Sequence, residues 1–207
     1  MGIEKLDKIM KEIIGYLDEK DKSRENLIKL AREVVRLSRE IISIIHKGNI
    51  EMAMSKLKEL SIWKDVLLKE ADKYPDLRYG GVVLNSLTEY VEVQLLLSLI
   101  RDKDVLSPEE LGVDCVSYLL GLADVIGELR RLALDSLRED KIDLAEEYIG
   151  YMEDIYVRLS SLSYPDAMIP GLRRKCDIAR RLIDETKSDL LFTRRSVELA
   201  RMLGIRA

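Results

Sequence analysis

Apolar residues recur at intervals of three and four along almost the whole of this 207-residue chain, and no stretch alternates apolar with polar over six residues. That period lines apolar side chains along one stripe of an α-helix, whereas a half-buried strand requires a period of two. The spacing predicts an all-α protein with helices at about 3–20, 22–47, 50–73, 81–101, 114–138, 142–162 and 170–203. Gly48-Asn49, Tyr74-Pro75-Asp76, Tyr164-Pro165 and Pro170-Gly171 separate them. Ser107-Pro108-Glu109-Glu110 reads as a short helical turn with proline at its first position. Connectors this short favour antiparallel neighbours, hence an antiparallel bundle of about seven long helices.

With 47% hydrophobic residues and only four prolines, the chain can bury an ample core, and no Pro/Gly/Ser-rich linker divides it. A single helical domain over residues 1–207 is expected. From Ile3 onward charged and apolar residues interleave, without the unbroken apolar run of a signal peptide or membrane anchor, so a cytoplasmic protein is expected. Cys115 and Cys176 fit no paired metal or redox spacing and read as buried apolar residues.

Two segments break the ordinary rule that apolar helices carry no charge. Val82–Ile100 is apolar nearly all round, and its only charges are Glu89 and Glu92. Cys115–Leu129 carries only Asp124 and Glu128. Each pair lies one turn apart on one helix face. A carboxylate in an apolar setting is costly unless it is neutralised, paired or bound to a cation. Two readings stand: four carboxylates facing each other around a hard cation such as Mg²⁺ or Mn²⁺, or acids paired with Arg or Lys from neighbouring helices.

The one histidine, His46, excludes histidine-pair acid/base catalysis and weighs against multi-histidine zinc or a di-iron bundle site. No glycine-rich phosphate loop follows a strand, which removes the usual nucleotide-triphosphate sites. Net charge is only −4, yet residues 22–47 carry seven bases against three acids, residues 171–207 ten against five, and residues 81–155 six against seventeen. Lys29, Arg32, Arg36 and Arg39 fall within about a quarter of the helical circumference, opposite Leu30, Val34, Leu37, Ile41 and Ile45. Such a row can track phosphates without reading bases; an ordinary solvated helix face looks the same. The aromatic residues form no clustered stacking platform, which leans towards contacts with RNA backbone or shape.

Three segments together resemble the translin/Trax family: Arg24–Glu33 running on to Ile44-Ile45-His46-Lys47-Gly48; Glu89-Tyr90-Val91-Glu92 followed by Tyr118–Leu129; and Pro170-Gly171-Leu172-Arg173-Arg174-Lys175. The similarity covers most of the chain, and the acidic segments look like Trax, in a compact archaeal-type form. The resemblance implies a Mg²⁺-dependent endoribonuclease in which Glu89, Glu92 and Asp124 match the catalytic acids and Glu128 the acid one turn on. It also implies RNA as partner and a homo-oligomer, an octameric closed shell enclosing RNA. The stretch from Ile100 to Asp114 is shorter than in the longer Trax chains. Two alternatives remain. One is a non-catalytic translin-type shell binding RNA or single-stranded DNA. The other is an all-α nucleotide pyrophosphohydrolase, which wants a Glu-Glu-x-x-Glu array that the Glu89 to Glu92 segment lacks.

Overall fold

The computed structural model describes residues 2–203, and every regular element among them is helical. In chain order these are α1 (Gly2–His46), α2 (Ile50–Ala71), α3 (Pro75–Arg78), α4 (Gly81–Asp102), α5 (Pro108–Leu111), α6 (Cys115–Arg138), α7 (Ile142–Ser160) and α8 (Leu172–Met202). They group into two compact units, one ending at Tyr90 and the other beginning at Val91, with α4 running through the division.

The first unit is built on α1 and α2. Leu27, Ala31, Val34, Ser38, Ile41 and Ile45 form a seam of three- and four-residue steps on α1, all buried. Ala53, Leu60, Lys64, Leu67 and Ala71 form the matching seam on α2. The helices run antiparallel, since Ser23 bonds Glu70 near one end and Lys56 pairs with Glu40 towards the other. The turn between them needs a residue in the left-handed region, and Gly48 supplies it at φ 74°. Asn49 then caps α2 by accepting from the Met52 amide at 3.2 Å. Lys64 is the one buried base among the described residues; its ammonium lies 5.5 Å from the Tyr90 ring centroid and 2.7 Å from the Asp65 carboxylate.

The expected break near residue 21 does not occur, and α1 is one helix of 45 residues. The charged run Asp18-Glu19-Lys20-Asp21-Lys22 interrupts the apolar period but not the helix. Its side chains pair one turn apart, Lys22 with Glu19 at 2.9 Å and Arg24 with Asp21 at 2.8 Å.

The second unit packs α6, α7 and α8 around Leu120, Ile126, Leu129, Ile149, Met152 and Ile183. Ion pairs fix the directions: Lys187 with Glu153 and Arg194 with Glu146 make α8 antiparallel to α7, and Arg130 with Glu185 makes it parallel to α6. The turn expected at Ser107 is α5, a four-residue helix with a complete capping box between Ser107 and Glu110 and a left-handed Gly112 at its end. Asp114 caps α6 by accepting from the Ser117 amide and hydroxyl at 2.9 and 2.8 Å. By length and composition α4 could cross a membrane, but 67% of its apolar window is buried inside the protein. Both thiols are free: Cys176 is half-buried, and Cys115 is exposed rather than buried because it stands at the first turn of α6.

Glu70 joins the middle of α1 to the end of α2, accepting from the Ser23 hydroxyl at 2.6 Å and the Lys73 ammonium at 2.7 Å. The Lys73 ammonium first, and Ser23 second, hold its carboxyl below the ordinary range. A group lowered in the folded state contributes stability above its unfolded pKa and loses it as pH falls through the folded value. Glu70→Ala should therefore cost about 1–2 kcal/mol at neutral pH and progressively less in acid, read from denaturant unfolding at a series of pH values.

Candidate nucleic-acid and carboxylate site

In the first unit the basic row lies where the helical period puts it. Lys29, Arg32, Arg36 and Arg39 are all exposed on α1, while Val34, Leu37, Ile41 and Ile45 on the opposite side are at most 2% exposed. Three of the four line a hollow between α1 and the first turns of α4, where Arg32, Arg36 and Arg39 meet Val35, Val82 and Asn85. The row is partly neutralised. Arg36 lies between Glu33 at 2.9 Å and Glu40 at 3.3 Å, and Arg39 reaches Glu89 at 3.3 Å. Lys29 and Arg32 form no ion pair among the described residues. Those two are the bases of the row whose charge no acid among the described residues meets.

The acids stand on the less buried stripe of their helices. On α4, Asn85, Glu89 and Glu92 step by four and three along one face, and both carboxylates are half-buried while Leu87, Val91, Val93 and Leu95 around them are fully enclosed. Asn85 extends this stripe and was legible as the polar residue one turn before Glu89. On α6, Asp124 and Glu128 are likewise half-buried, beside the enclosed Ala123, Val125, Ile126 and Leu129.

Each unit answers one of these acids with a base from another helix. Glu89 meets the Arg39 guanidinium of α1, and Asp124 meets the Lys175 ammonium of α8 in a close hydrogen-bonded ion pair. Glu92 and Glu128 also have interactions with their surroundings. Among the described residues no three His, Cys, Asp or Glu side chains are gathered to hold a metal ion. The carboxylates match a hard cation in donor type, and two of them, Glu89 and Asp124, are ion-paired with Arg39 and Lys175. Lys175 was not singled out as a site residue; its only signal was its place in the basic cluster Arg173-Arg174-Lys175 at the start of α8.

The profile of the translin family matches residues 22–185. The chain belongs to the translin family. It is 35% identical over 181 residues to an uncharacterized protein of Methanocaldococcus jannaschii, covering 86% of this chain and 80% of that one. It is 19% identical over 188 residues to the translin-associated protein X homolog of Schizosaccharomyces pombe, covering 84% of this chain and 81% of that one. Among solved structures it is similar to AfC3PO in a complex with duplex RNA, at a TM-score of 0.84 and 32% identity over 90% of this chain and 97% of that chain. That similarity covers both units, so the all-α translin-like fold is the fold of this chain.

The pair of Asp124 and Lys175 leaves both side chains 31% exposed, and pairs in that setting contribute only about 0–1 kcal/mol. Lys175→Met should shift the denaturant midpoint by less than about 1 kcal/mol of stability with an unchanged slope. A loss of about 3–5 kcal/mol, the size expected when a buried partner is removed, would mark the acid as a structural anchor instead.

Proposed function

We propose that this protein binds RNA through the α1 row Lys29, Arg32, Arg36 and Arg39, and cuts it as a divalent-cation-dependent endoribonuclease. The acids of the reaction are Glu89, Glu92 and Asp124, with Glu128 one turn on. The single observation that carries the reading is the set of half-buried acids on α4 and α6, the only charges in 82–100 and 115–129. Acids kept there cost stability unless they are neutralised, paired or bound to a cation. Family membership supports RNA as the ligand, as does the duplex RNA held by AfC3PO. The translin-associated protein X relatives support the Trax side of the family.

The cation assigned is Mg²⁺ or Mn²⁺, held by Glu89, Glu92, Asp124 and Glu128. When bound, it supplies Lewis-acid stabilisation and a water of lowered pKa. The residues of this chain do the rest. Lys29 and Arg32 bind the phosphate backbone, and the apolar walls of α4 and α6 raise the strength of every charge interaction at the acids. Arg39 and Lys175 are the countercharges of Glu89 and Asp124. The protein works in the cytoplasm as a homo-oligomer, in an octameric closed shell.

A second reading has its own support. Glu89 and Asp124 are already ion-paired, and no three-acid group is gathered among the described residues, as in a non-catalytic shell that only holds RNA. One assay separates the two. Labelled single- and double-stranded RNA is incubated with wild type, Glu89→Gln, Glu92→Ala and Asp124→Asn, with and without Mg²⁺. Cleavage should need Mg²⁺ and should fall at least about a hundredfold in each variant while RNA binding persists. Equal Mg²⁺-dependent cleavage by all three variants sinks the assignment, and no metal-dependent product from wild type leaves the scaffold. Arg32→Ala should weaken binding and reduce the slope of log affinity against log salt by about one, measured by filter binding.

A further inference from the structure

The hollow between α1 and the first turns of α4 has a lining that phosphate binding alone does not use. Its floor is aliphatic, formed by Ile28, Ala31, Val35 and Val82, and its volume is about 540 Å³. Backbone phosphates need cations and no apolar surface, whereas a nucleobase needs apolar surface for its faces and polar partners for its edge. Here an aliphatic floor lies inside a rim of guanidinium groups from Arg32, Arg36 and Arg39.

Two neutral polar side chains line the hollow among the described residues, and they differ in what they have left to offer. The Ser86 hydroxyl is committed, donating to the Val83 carbonyl at 2.8 Å. Asn85 is exposed, and its amide forms no hydrogen bond among the described residues. An amide presents one donor and one acceptor side by side, the pattern that matches N7 and the N6 amino group of adenine. Guanine presents two acceptors at that edge, and the same edge of a pyrimidine gives the amide a single partner. A guanidinium reads guanine, but Arg36 is held by Glu33 and Glu40 and Arg39 by Glu89, while Arg32 is assigned to the backbone. Asn85 also stands four residues before Glu89 on the same face, about 6 Å along the helix axis at 1.5 Å per residue.

We propose that this hollow seats one unpaired adenine of the bound RNA and that Asn85 is the residue that selects it. The amide N–H donates to N7, the amide oxygen accepts from the N6 amino group, and the aliphatic floor covers one face of the ring. In an RNA duplex that edge lies in the deep, narrow major groove, out of reach of a side chain, so the adenine is unpaired when it is read. The inference rests on the RNA reading above and adds base selection to it.

Fluorescence anisotropy without Mg²⁺, so that no strand is cut, tests it on a short oligouridylate carrying adenosine, 7-deazaadenosine or uridine at one central position. Wild type should bind the adenosine strand about tenfold more tightly than the uridine strand, and 7-deazaadenosine, which lacks N7, should lose most of that gain. Asn85→Leu should bind all three strands within about twofold of one another, with the slope of log affinity against log salt unchanged. Its melting temperature should match wild type, because the position is exposed. Wild type that binds RNA without preferring the adenosine strand overturns base selection and leaves the RNA reading standing, and so does a preference that survives in Asn85→Leu. Absence of RNA binding by wild type removes both. Levelled affinities accompanied by a smaller assembly of Asn85→Leu in sedimentation velocity place a protein contact in the hollow and overturn the proposal as well.

Discussion

The countercharge requirement of a carboxylate on an apolar helix organises much of what surrounds the candidate site. Glu89 and Asp124 sit on helices whose other neighbouring side chains are fully enclosed, where an ionised acid loses most of its water. In the first unit α1 meets the requirement with Arg39; in the second, α8 meets it with Lys175. Each acid thus ties a polar position on one helix to a basic position on another. Because both pairs remain part-exposed, each contributes little to stability.

Around those pairs the scaffold is simple. Long helices pack with seams of three- and four-residue period, small residues at Ala31, Ala53 and Ala71 let α1 and α2 approach, and caps set the ends. The same periodicity makes the helices outrun their partners. Residues 3–17 of α1 keep an apolar stripe that nothing in the first unit covers. Past Thr186, α8 has no fully buried side chain among the described residues and leaves Leu191, Phe192 and Leu199 exposed. A helix continues for as long as its local sequence permits, whereas burial requires a neighbour.

The helical class, five of the seven long segments and the basic face of α1 were legible because they depend on period and local chemistry. Gly48, the Ser107 to Glu110 capping box and Asp114 act within a few residues of themselves, so the ends they set can be read along the chain. The single misplaced break, near residue 21, came from reading a gap in the apolar stripe as a gap in the helix; charged residues propagate a helix as well as apolar ones do. Cys115 was misjudged for the opposite reason. Its low polarity suggested burial, but its position on the first turn of α6 points it outward.

Sequence alone determined which acids are exceptional, since Glu89, Glu92, Asp124 and Glu128 stand out against apolar neighbours whatever the fold. It also determined the row Lys29, Arg32, Arg36 and Arg39, because a helix of 3.6 residues per turn fixes which positions share a face. Only the tertiary structure decided how those residues are answered. That Arg39 serves Glu89 across fifty positions, and Lys175 serves Asp124 across fifty-one, follows from which helices pack together and in which direction. Periodicity along one helix carries no information about its neighbours, so the countercharges at the site had to come from the fold.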